Sequence, residues 1–571
     1  MAGTSTIAGV KITHDGAVAV IRDGVLDFVV ELEKVECNAR HSCLRHLDQI
    51  ADLLALSKTA PEEIDTWVVD GWFTQIPQQR NPRPENGHRT ATLIVRTLSG
   101  SQLLPVAAYH EIDGQNPLDG LVPASPLPGL SESYRSHHHT IGHLASGYCT
   151  SPFARQGQIA VVVVWDGGVG PRLYVVDPTR LRVTALGGIL PLKGSTYAAV
   201  VSRFPPFQLS KNSATGSEWG RHELAVPGRA MAYAGLGKAS DELHAHIINA
   251  YRRLARSTPF AELPHALADA VEEAARWIGV PSADAICTWQ VFVARMLENA
   301  LADSLSRAGL TSAPVALVGG CALNINWNSH IRNSGRFGEV WVPPFPNDSG
   351  SALGAACAEM MRQREKWHLE WDVYRGPVLQ DDPIPPGWTA RPADLHVLAK
   401  LLHSGESVVV MQGRAELGPR ALGHRSILAA ATDPRMRDHL NKIKGRESYR
   451  PVAPICLEER AAELFEPGGP DPFMLFQHRV RDPWRNLIPA VVHADGTARL
   501  QTINCDQEPV LYELLRRYEL LSGVPVLCNT SANYPGRGFF PSIAEALRWG
   551  RVRHAWCQGV LYSTRIGNAN P

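Results

Sequence analysis

Four histidines stand between residues 137 and 143, in the stretch SHHHTIGHLASGY. His139 and His143 are four residues apart, and on an α-helix that spacing places both side chains on one face. Two imidazoles on one face can chelate a metal ion. The alternative is a polar helix end with exposed histidines. The small and apolar residues that follow indicate a closely packed helix and favour the metal, with His137 and His138 as capping or supporting residues.

A metal centre needs more ligands, and two aspartates are candidates. Asp166 ends the apolar run VVVVWD, where a carboxylate is costly unless it meets a cation or hydrogen-bond donors. Asp348 lies at a loop-to-helix junction in PPFPNDSGSALGAA. The alternatives are a turn residue for Asp166 and a helix N-cap for Asp348. Two histidines with two carboxylates suit iron, zinc, manganese or nickel, and the sequence does not select among them.

Other residues indicate a base and sites for anions. His14 and Asp15 stand at the first hairpin turn, as a general base with its partner or as an ordinary turn pair. Three glycine turns, in DGGVG, VPGRAMAYAG and LVGGCALN, offer backbone amides to anions and together suggest a nucleotide site.

The segments GRAELGPRALGHRS and NKIKGRESYRPVAP are rich in arginine and lysine. They predict a buried anion pocket, because arginine grips phosphate and carboxylate groups bidentately. The alternative is scattered surface cations.

Alternating runs predict the elements that position these residues. TIAGVKIT, VAVIRDG and VLDFVVELE predict a three-stranded meander, and GQIAVVVVWDGGVGPRLYVV begins a second one. The recurrence predicts two related lobes around a cleft. Helical patterns fill much of 240–310. Pro, Gly and Trp break the periodicity after residue 365, so we predict an α/β domain over 1–365, a linker over 366–390 and a second α/β domain over 391–571.

Composition excludes several classes of function. The chain has 571 residues, 44% hydrophobic and 20% charged, and no net formal charge, which fits a globular protein and gives no support for nucleic-acid or membrane-surface binding. It contains no long apolar run, and its first residues lack the pattern of a signal peptide. Ten scattered cysteines without a C-x-x-C motif predict reduced thiols and a cytoplasmic protein.

Several motifs together resemble one family. GPRALGHRS, KGRESYRPVAP and NTSAN resemble the C-terminal hallmark of the NodU/CmcH-type O-carbamoyltransferases, and HTIGH, DGG, VGGCALN and NDSGSALGAA resemble its N-terminal domain in the same order. The resemblance implies a Kae1-like domain of the actin-like ATPase fold, with duplicated ribonuclease H-type lobes, followed by a YrdC-like domain. It also implies that carbamoyl phosphate and ATP form carbamoyl-adenylate, and that the carbamoyl group then passes to a hydroxyl with release of AMP.

The resemblance also implies roles for individual residues. His14 would be the base, Arg40 would replace a lysine that contacts carbamoyl-adenylate, and Fe²⁺ would be the metal, with Mg²⁺ accompanying ATP. The iron ligands would be His139, His143, Asp166 and Asp348. Gly228, Gly319 and Gly320 would lie on nucleotide-contacting turns. The residues around carbamoyl phosphate and the ATP phosphates would be Arg420, Lys444, Arg450, Arg499 and Asn529.

Departures from the family pattern bear on the acceptor. YPGRG follows NTSAN, and Arg537 is the candidate for a missing family arginine. Ile12 stands where an acidic residue would face a polycationic acceptor, which argues against an aminoglycoside. We expect a small-molecule hydroxyl acceptor, an antibiotic-type and glycosidic natural product, with neither nucleic acid nor membrane as partner and a homodimer as one alternative. The competing hypotheses are a tRNA threonylcarbamoyl-type enzyme and a non-catalytic nucleotide-binding scaffold.

Overall fold

The computed structural model describes residues 5–75, 89–112, 114, 116–208 and 217–564, and its first lobe is built on the predicted meander. Apolar β-branched runs separated by tight turns form the first three strands. The elements of this lobe are β1 (Thr6–Lys11), β2 (Ala17–Arg22), β3 (Val25–Glu31), α1 (Gln49–Ala55), β4 (Thr66–Asp70), β5 (Thr90–Thr97), β6 (Gly100–Ala107), β7 (Arg135–His137), α2 (His139–Cys149) and α3 (Pro152–Arg155).

The second lobe repeats the meander and adds a helical layer over the predicted range. Its elements are β8 (Ala160–Val164), β9 (Arg172–Asp177), β10 (Arg182–Gly188), α4 (Ser195–Val201), α5 (Ser217–Ala234), α6 (Asp241–Ser257), α7 (Leu263–Ile278), α8 (Ser282–Ala308), β11 (Val315–Val318), α9 (Ile325–Asn333), β12 (Val340–Trp341) and α10 (Ser351–Gln363).

The two lobes share one sheet topology. The strand orders are β3-β2-β1-β4-β7 and β10-β9-β8-β11-β12, with an antiparallel meander followed by two parallel strands in each. The prediction of two related lobes is therefore confirmed. The central strands β1 and β8 are buried throughout, which explains why they read as continuous apolar runs.

Two helices pack closely between the sheets. A side chain on Gly354 of α10 would overlap the carbonyl oxygen of Gly142 on α2, so only glycine permits this approach. The close packing carries α2, with its histidines, against the turn that holds Asp348. Within the described residues, no helix is both long and apolar enough to cross a membrane.

The C-terminal part forms a separate mixed sheet of eight strands in the order β13-β23-β22-β14-β15-β21-β16-β20. Its elements are β13 (Thr389–Pro392), α11 (Leu395–His403), β14 (Val408–Met411), β15 (Arg425–Ala430), α12 (Arg435–Ile443), β16 (Ala453–Leu457), α13 (Glu458–Leu464), β17 (Phe465–Glu466), β18 (His478–Val480), α14 (Asp482–Arg485), β19 (Thr497–Ala498), β20 (Gln501–Ile503), α15 (Pro509–Ser522), β21 (Val526–Ser531), α16 (Ile543–Trp549), β22 (His554–Cys557) and β23 (Val560–Ser563). An α/β architecture is confirmed for both parts of the chain.

A buried ion pair holds the two parts together. The Lys34 ammonium lies 2.6 Å from the Glu31 carboxylate and donates to the carbonyl oxygens of Glu416 and Gly418, at 2.6 and 2.8 Å. The Gly418 amide donates back to Glu31, at 2.9 Å. Because all four residues are buried and hydrogen bonds run in both directions, this contact fixes the loop that leads to the GPRALGHRS motif.

Candidate metal centre and anion pocket

Four ligand-type side chains from three parts of the chain converge between the lobes. His139 and His143 lie on α2, Asp166 follows β8, and Asp348 precedes α10. The Nε2 atoms of the two histidines are 3.1 Å apart, and Asp348 Oδ1 lies 3.3 Å from each. Asp166 Oδ2 is 3.8 Å from His139 Nε2. Ligands bound about 2.1 Å from one ion lie roughly 3–3.4 Å apart, so this arrangement fits a divalent metal.

Burial separates the competing interpretations of these residues. Both histidines are fully buried, so a polar helix end with exposed histidines is wrong. His138 occupies the N-cap position of α2, and His137 contacts Glu359 at 3.1 Å, so these two histidines support the helix. The structure brings all four predicted ligand residues within 4.8 Å of one another.

A buried lysine and a second aspartate orient the first histidine. Lys11 Nζ lies 2.8 Å from Asp70 and 3.0 Å from Asp348. Asp70 Oδ2 is also 2.8 Å from His139 Nδ1. Burial opposes ionisation of Asp70, but the charges of His139 and Lys11 hold its pKa below the usual value. The carboxylate therefore accepts a hydrogen bond from Nδ1, which fixes the ring with Nε2 directed at the centre.

The other aspartates are held as anions as well. Burial opposes ionisation of Asp348, but Lys11 and His139 hold its pKa well below the usual range. Asp166 accepts hydrogen bonds from the Tyr109 hydroxyl and, at 2.6 Å, from the amide of Gly320.

The glycine turn after β11 serves this carboxylate. The Gly319 amide donates to the Pro346 carbonyl oxygen, at 2.8 Å, and the Gly320 amide donates to Asp166 Oδ1. Gly319 has a φ of +90°, and a side chain there would overlap the Trp165 carbonyl. These two amides are therefore not free for an anion, because protein groups accept from them, and a nucleotide contact at this turn stays a prediction.

Gly228 does not lie in a turn either. It stands inside α5, where helical hydrogen bonding uses backbone amides, although Pro227 precedes it. Val226 and Ala230 on the same helix are fully buried in the core of the second lobe. Apolar packing therefore outweighs the helix-breaking tendency of Pro and Gly, which corrects the predicted glycine turn.

His14 lies beside the metal-type cluster. Its Nδ1 is 2.8 Å from Asp15 Oδ2, and its Nε2 is 3.5 Å from Asp348 Oδ2. Burial opposes ionisation of Asp15, but hydrogen bonds from His14 and His41 lower its pKa to about 2. The carboxylate therefore accepts from Nδ1, and Nε2 of the partly exposed ring faces the metal-type cluster.

A second cluster, in the C-terminal part, consists almost entirely of cations. Among the described residues, no carboxylate lies within ion-pair distance of Arg420, Arg446 or Arg499, and the Nε atoms of Arg420 and Arg499 are buried without an acceptor. We call this cluster the anion pocket, and its cationic side chains are Arg40, Arg420, Lys444, Arg446, Arg450 and Arg499.

The electrostatics of the anion pocket are unfavourable without a bound anion. Burial and the charge of Arg450 lower the pKa of Arg499 to about 10. Burial, Arg450 and Arg499 lower the pKa of Arg446 to about 9. Burial and mutual repulsion therefore destabilise even these guanidinium groups in their charged form.

Several of the predicted C-terminal cations serve the fold instead. Arg425 donates to the carbonyl oxygens of Gln412 and His424, at 2.7 and 2.9 Å. Arg414 donates to the Gly376 carbonyl, at 2.8 Å. These arginines shape the loop around the GPRALGHRS motif, and the anion pocket stays a prediction for the other cations of these segments.

Lys444 combines both roles. It lies in the anion pocket, but its ammonium donates to the carbonyl oxygens of Ser531 and Asn533, each at 2.7 Å, and to the Asn533 side chain. Lys444 therefore fixes the chain after β21.

Asn529 and Arg537 border the same region. Asn529 Nδ2 donates to Gln501 Oε1, at 2.7 Å, and to the Ala421 carbonyl, at 3.1 Å. Its buried Oδ1 finds no partner within the described part of the chain. Arg537 donates to the Cys37 carbonyl, at 3.5 Å, and so contacts the segment that carries Arg40.

Sequence reasoning missed three residues that complete these sites: Lys11, Asp70 and His41. Lys11 had a signal, since it is a lone charge in an apolar strand run and is only 1% exposed. Asp70 ends strand β4, and His41 stands in a loop. Only the tertiary structure brings Asp70 to His139 and His41 to Asp15.

Comparison with known proteins identifies one family over both parts of the chain. The family description "Carbamoyltransferase N-terminus" matches residues 6–112 and 125–357, and "Carbamoyltransferase C-terminus" matches residues 399–555. Nodulation protein U of Sinorhizobium fredii (strain NBRC 101917 / NGR234) is 43% identical over 573 residues, covering 97% of this chain and 98% of that protein. The 3'-hydroxymethylcephem-O-carbamoyltransferase of Amycolatopsis lactamdurans is 32% identical over 542 residues, covering 94% of this chain and 95% of that enzyme.

A solved structure of full-length HypF in a phosphate- and nucleotide-bound form covers 64% of this chain and 56% of its own, at 13% identity. Its TM-score of 0.32 is too low to bear on function. The family matches extend over both parts of the chain and contain the metal-type cluster and the anion pocket. The chain therefore belongs to the carbamoyltransferase family of enzymes, which includes O-carbamoyltransferases.

Proposed function

We propose that the protein is an ATP-dependent O-carbamoyltransferase that acts through carbamoyl-adenylate. The anion pocket would bind carbamoyl phosphate and ATP, and the cleft at His14 would bind a small hydroxyl acceptor, a natural product of glycosidic type. The observation that carries this proposal is that Arg420, Arg446 and Arg499 have no carboxylate within ion-pair distance, and that the buried Nε atoms of Arg420 and Arg499 lack an acceptor, among the described residues. We also propose that the N-terminal part of the chain is a Kae1-like domain and the C-terminal part a YrdC-like domain.

The first half-reaction brings together several anions, namely carbamoyl phosphate, carbamate and ATP. Carbamoyl phosphate and water give carbamate and phosphate. A carbamate oxygen then attacks the α-phosphorus of ATP and displaces pyrophosphate, which forms carbamoyl-adenylate. Arg420, Arg450 and Arg499 would offset the repulsion among these anions, because fixed positive charge in a low-dielectric pocket stabilises negative charge without reorganisation.

The second half-reaction makes a carbamate ester. The acceptor oxygen attacks the carbamoyl carbon, the bond to AMP breaks, and AMP leaves with the electron pair. His14 Nε2 would take the hydroxyl proton, since Nδ1 is committed to Asp15 at 2.8 Å. The nearby carboxylate of Asp15 would stabilise the resulting imidazolium.

The metal-type cluster suits a resident divalent ion, for which we propose Fe²⁺. His139, His143, Asp166 and Asp348 would hold it, and their convergence within 4.8 Å in a buried site supports the assignment. Such an ion supplies Lewis-acid polarisation of a phosphate oxygen. We expect Mg²⁺ to accompany ATP.

The proposal is tested by pyrophosphate release from ATP, measured with and without carbamoyl phosphate. We expect strict dependence on carbamoyl phosphate and no response to threonine. Release that needs threonine would instead identify a threonylcarbamoyl-type enzyme. ATP binding without pyrophosphate release would identify a nucleotide-binding scaffold and contradict the proposed function.

The metal assignment gives a separate expectation. Purified protein should contain about one equivalent of a transition metal, and His143→Ala should reduce that content to background, because the remaining ligands no longer close the site. Elemental analysis measures both proteins. The exposed His46→Ala is the matched control and should keep its metal. Equal metal content in His143→Ala and the wild type would exclude this site.

A further inference from the structure

One carboxylate stands between two histidines that are far apart in sequence. Asp15 accepts from His14 Nδ1, at 2.8 Å, and both of its oxygens lie 3.1 Å from His41 Nδ1. Asp15 is buried, whereas both imidazoles are partly exposed. Because the Asp15 carboxylate is ionised, each Nδ1 must be a donor. Two donors from different segments therefore fix the plane of one carboxylate.

The backbone at this contact is unusual on both sides. Asp15 has a φ of +59° and His41 a φ of +62°, which places two non-glycine residues in the left-handed region. Such conformations are strained for non-glycine residues and concentrate at functional sites. In these conformations Asp15 forms its hydrogen bonds to both histidines.

The segment that carries His41 is docked on the C-terminal part. The Arg40 amide donates to the Gly536 carbonyl, and the Gly538 amide donates to the Asn38 carbonyl, each at 3.0 Å. Cys37 is buried in the core of the C-terminal part. Immediately afterwards the chain returns to the first lobe, where the Gly16 amide donates to the Ser42 carbonyl, at 2.8 Å.

Consecutive residues therefore serve the two sites. The Arg40 guanidinium lies close enough to Arg420, Arg450 and Lys444 to lower their pKa values, although burial has the larger effect on each. The ring of His41 points back to Asp15 and through it to His14. The docking of one short segment thus sets the position of a pocket cation and of the partner of the proposed base.

We propose that His41 is a positioning residue, which through Asp15 holds the His14 ring with Nδ1 directed at Asp15 and Nε2 directed towards the metal-type cluster, and which is itself placed by docking on the C-terminal part. Its catalytic meaning rests on the proposed function, but its effect on the His14 ring does not. His14 is then fully oriented only when the anion pocket is assembled. The position of the base is thereby coupled to the site that forms carbamoyl-adenylate.

Three substitutions separate the hydrogen bond from the backbone conformation. His41→Asn keeps a donor near the position of Nδ1 and tolerates a positive φ. His41→Gly relaxes the backbone but removes the donor. His41→Gln places its donor near the position of Nε2, away from Asp15. We therefore expect His41→Asn to resemble the wild type, and His41→Gly and His41→Gln to behave alike.

The deciding measurement is ¹⁵N NMR of histidine-labelled full-length protein, with the His14 ring assigned by its loss in His14→Gln. At a pH at which the His14 ring is neutral, we expect the Nδ1–H tautomer in the wild type and in His41→Asn, and a mixture of tautomers in His41→Gly and His41→Gln. The same His14 tautomer in all four proteins would overturn the proposal, and so would a wild-type spectrum in His41→Gly alone.

Activity supplies the second readout, with glycerol as the probe hydroxyl. Carbamoyl-phosphate-dependent pyrophosphate release should be unchanged in all three variants. Glycerol-dependent AMP release should fall about 10- to 100-fold in His41→Gly and His41→Gln, with recovery in His41→Asn. Equal AMP release in all variants would also overturn the proposal. If the wild type releases no pyrophosphate, the proposed function fails, and the NMR result still decides the role of His41.

Discussion

Replacement of His14 by glutamine is expected to slow carbamoyl transfer about 100- to 10,000-fold, the usual contribution of a general base. Pyrophosphate release should be unchanged, because His14 lies at the metal-type cluster, 3.5 Å from Asp348, and not in the anion pocket. Carbamoyl-adenylate should then accumulate, or hydrolyse slowly to AMP and carbamate. Quenched-flow analysis of AMP and pyrophosphate from the same reaction measures the two steps separately.

The matched control for this substitution is His46→Gln, since His46 is an exposed histidine near the same loop. It should leave both steps unchanged. If His14→Gln slows pyrophosphate release as much as AMP release, the base assignment is wrong and the residue contributes to the fold or to the donor site. If neither step changes, another group takes the hydroxyl proton.

Replacement of Arg499 by glutamine is expected to reduce pyrophosphate release about 100- to 1,000-fold, the usual cost of removing one preorganised charge-stabilising donor. The same substitution should leave the free energy of unfolding unchanged or raise it. Arg499 is surrounded by Arg420, Arg446 and Arg450, so its charge destabilises the folded protein that holds no anion. Loss of activity with retained or increased stability is the signature of a functional site rather than of misfolding.

The pH dependence of stability follows from the same charge. The pKa of Arg499 in the folded protein is about 10, below its ordinary value, so the unfolded chain binds more protons in this range. As the pH rises through about 10, Arg499 loses its proton in the folded protein, and its contribution to the free energy of unfolding becomes less unfavourable. At neutral pH the destabilisation by its charge is fully present. In Arg499→Gln this contribution to the alkaline rise should disappear.

Calorimetry with added pyrophosphate completes the test. Pyrophosphate should raise the Tm of the wild type, because it neutralises the anion pocket, and should raise that of Arg499→Gln much less. Arg435→Gln is the matched control, since the Arg435 side chain is 89% exposed outside the pocket, and it should respond like the wild type. A strong loss of stability in Arg499→Gln would show that Arg499 supports the fold and would remove the main support for the anion pocket.

The sequence determined the elements on which the candidate site is built. The two meanders and helix α2 follow from local periodicity, because strand and helix periods decide which side chains share a face. The spacing of His139 and His143 therefore predicted a common direction before their partners were known. The costly position of Asp166 at the end of an apolar strand and the place of Asp348 at a loop-to-helix junction marked these two residues as candidates.

Tertiary structure decided which predicted groups are free to act. The Arg425 guanidinium and the Lys444 ammonium donate hydrogen bonds to carbonyl oxygens. Arg499, in contrast, has an Nε without a partner within the described part of the chain. All three are cations in similar sequence surroundings. The difference depends on which carbonyl groups long-range packing brings to each side chain, and no local pattern encodes that.

The same reason explains the residues that sequence reasoning missed or misplaced. Gly228 and Pro227 indicate a turn locally, but burial of one face of α5 in the second lobe decides for helix. Asp70 and His41 acquire their roles from hydrogen bonds to His139 and Asp15, which are remote in sequence. Sequence alone therefore determined which side chains could do chemistry and on which faces they stand. Only the tertiary structure decided which of them meet, because the donors and acceptors that orient or consume each group come from distant parts of the chain.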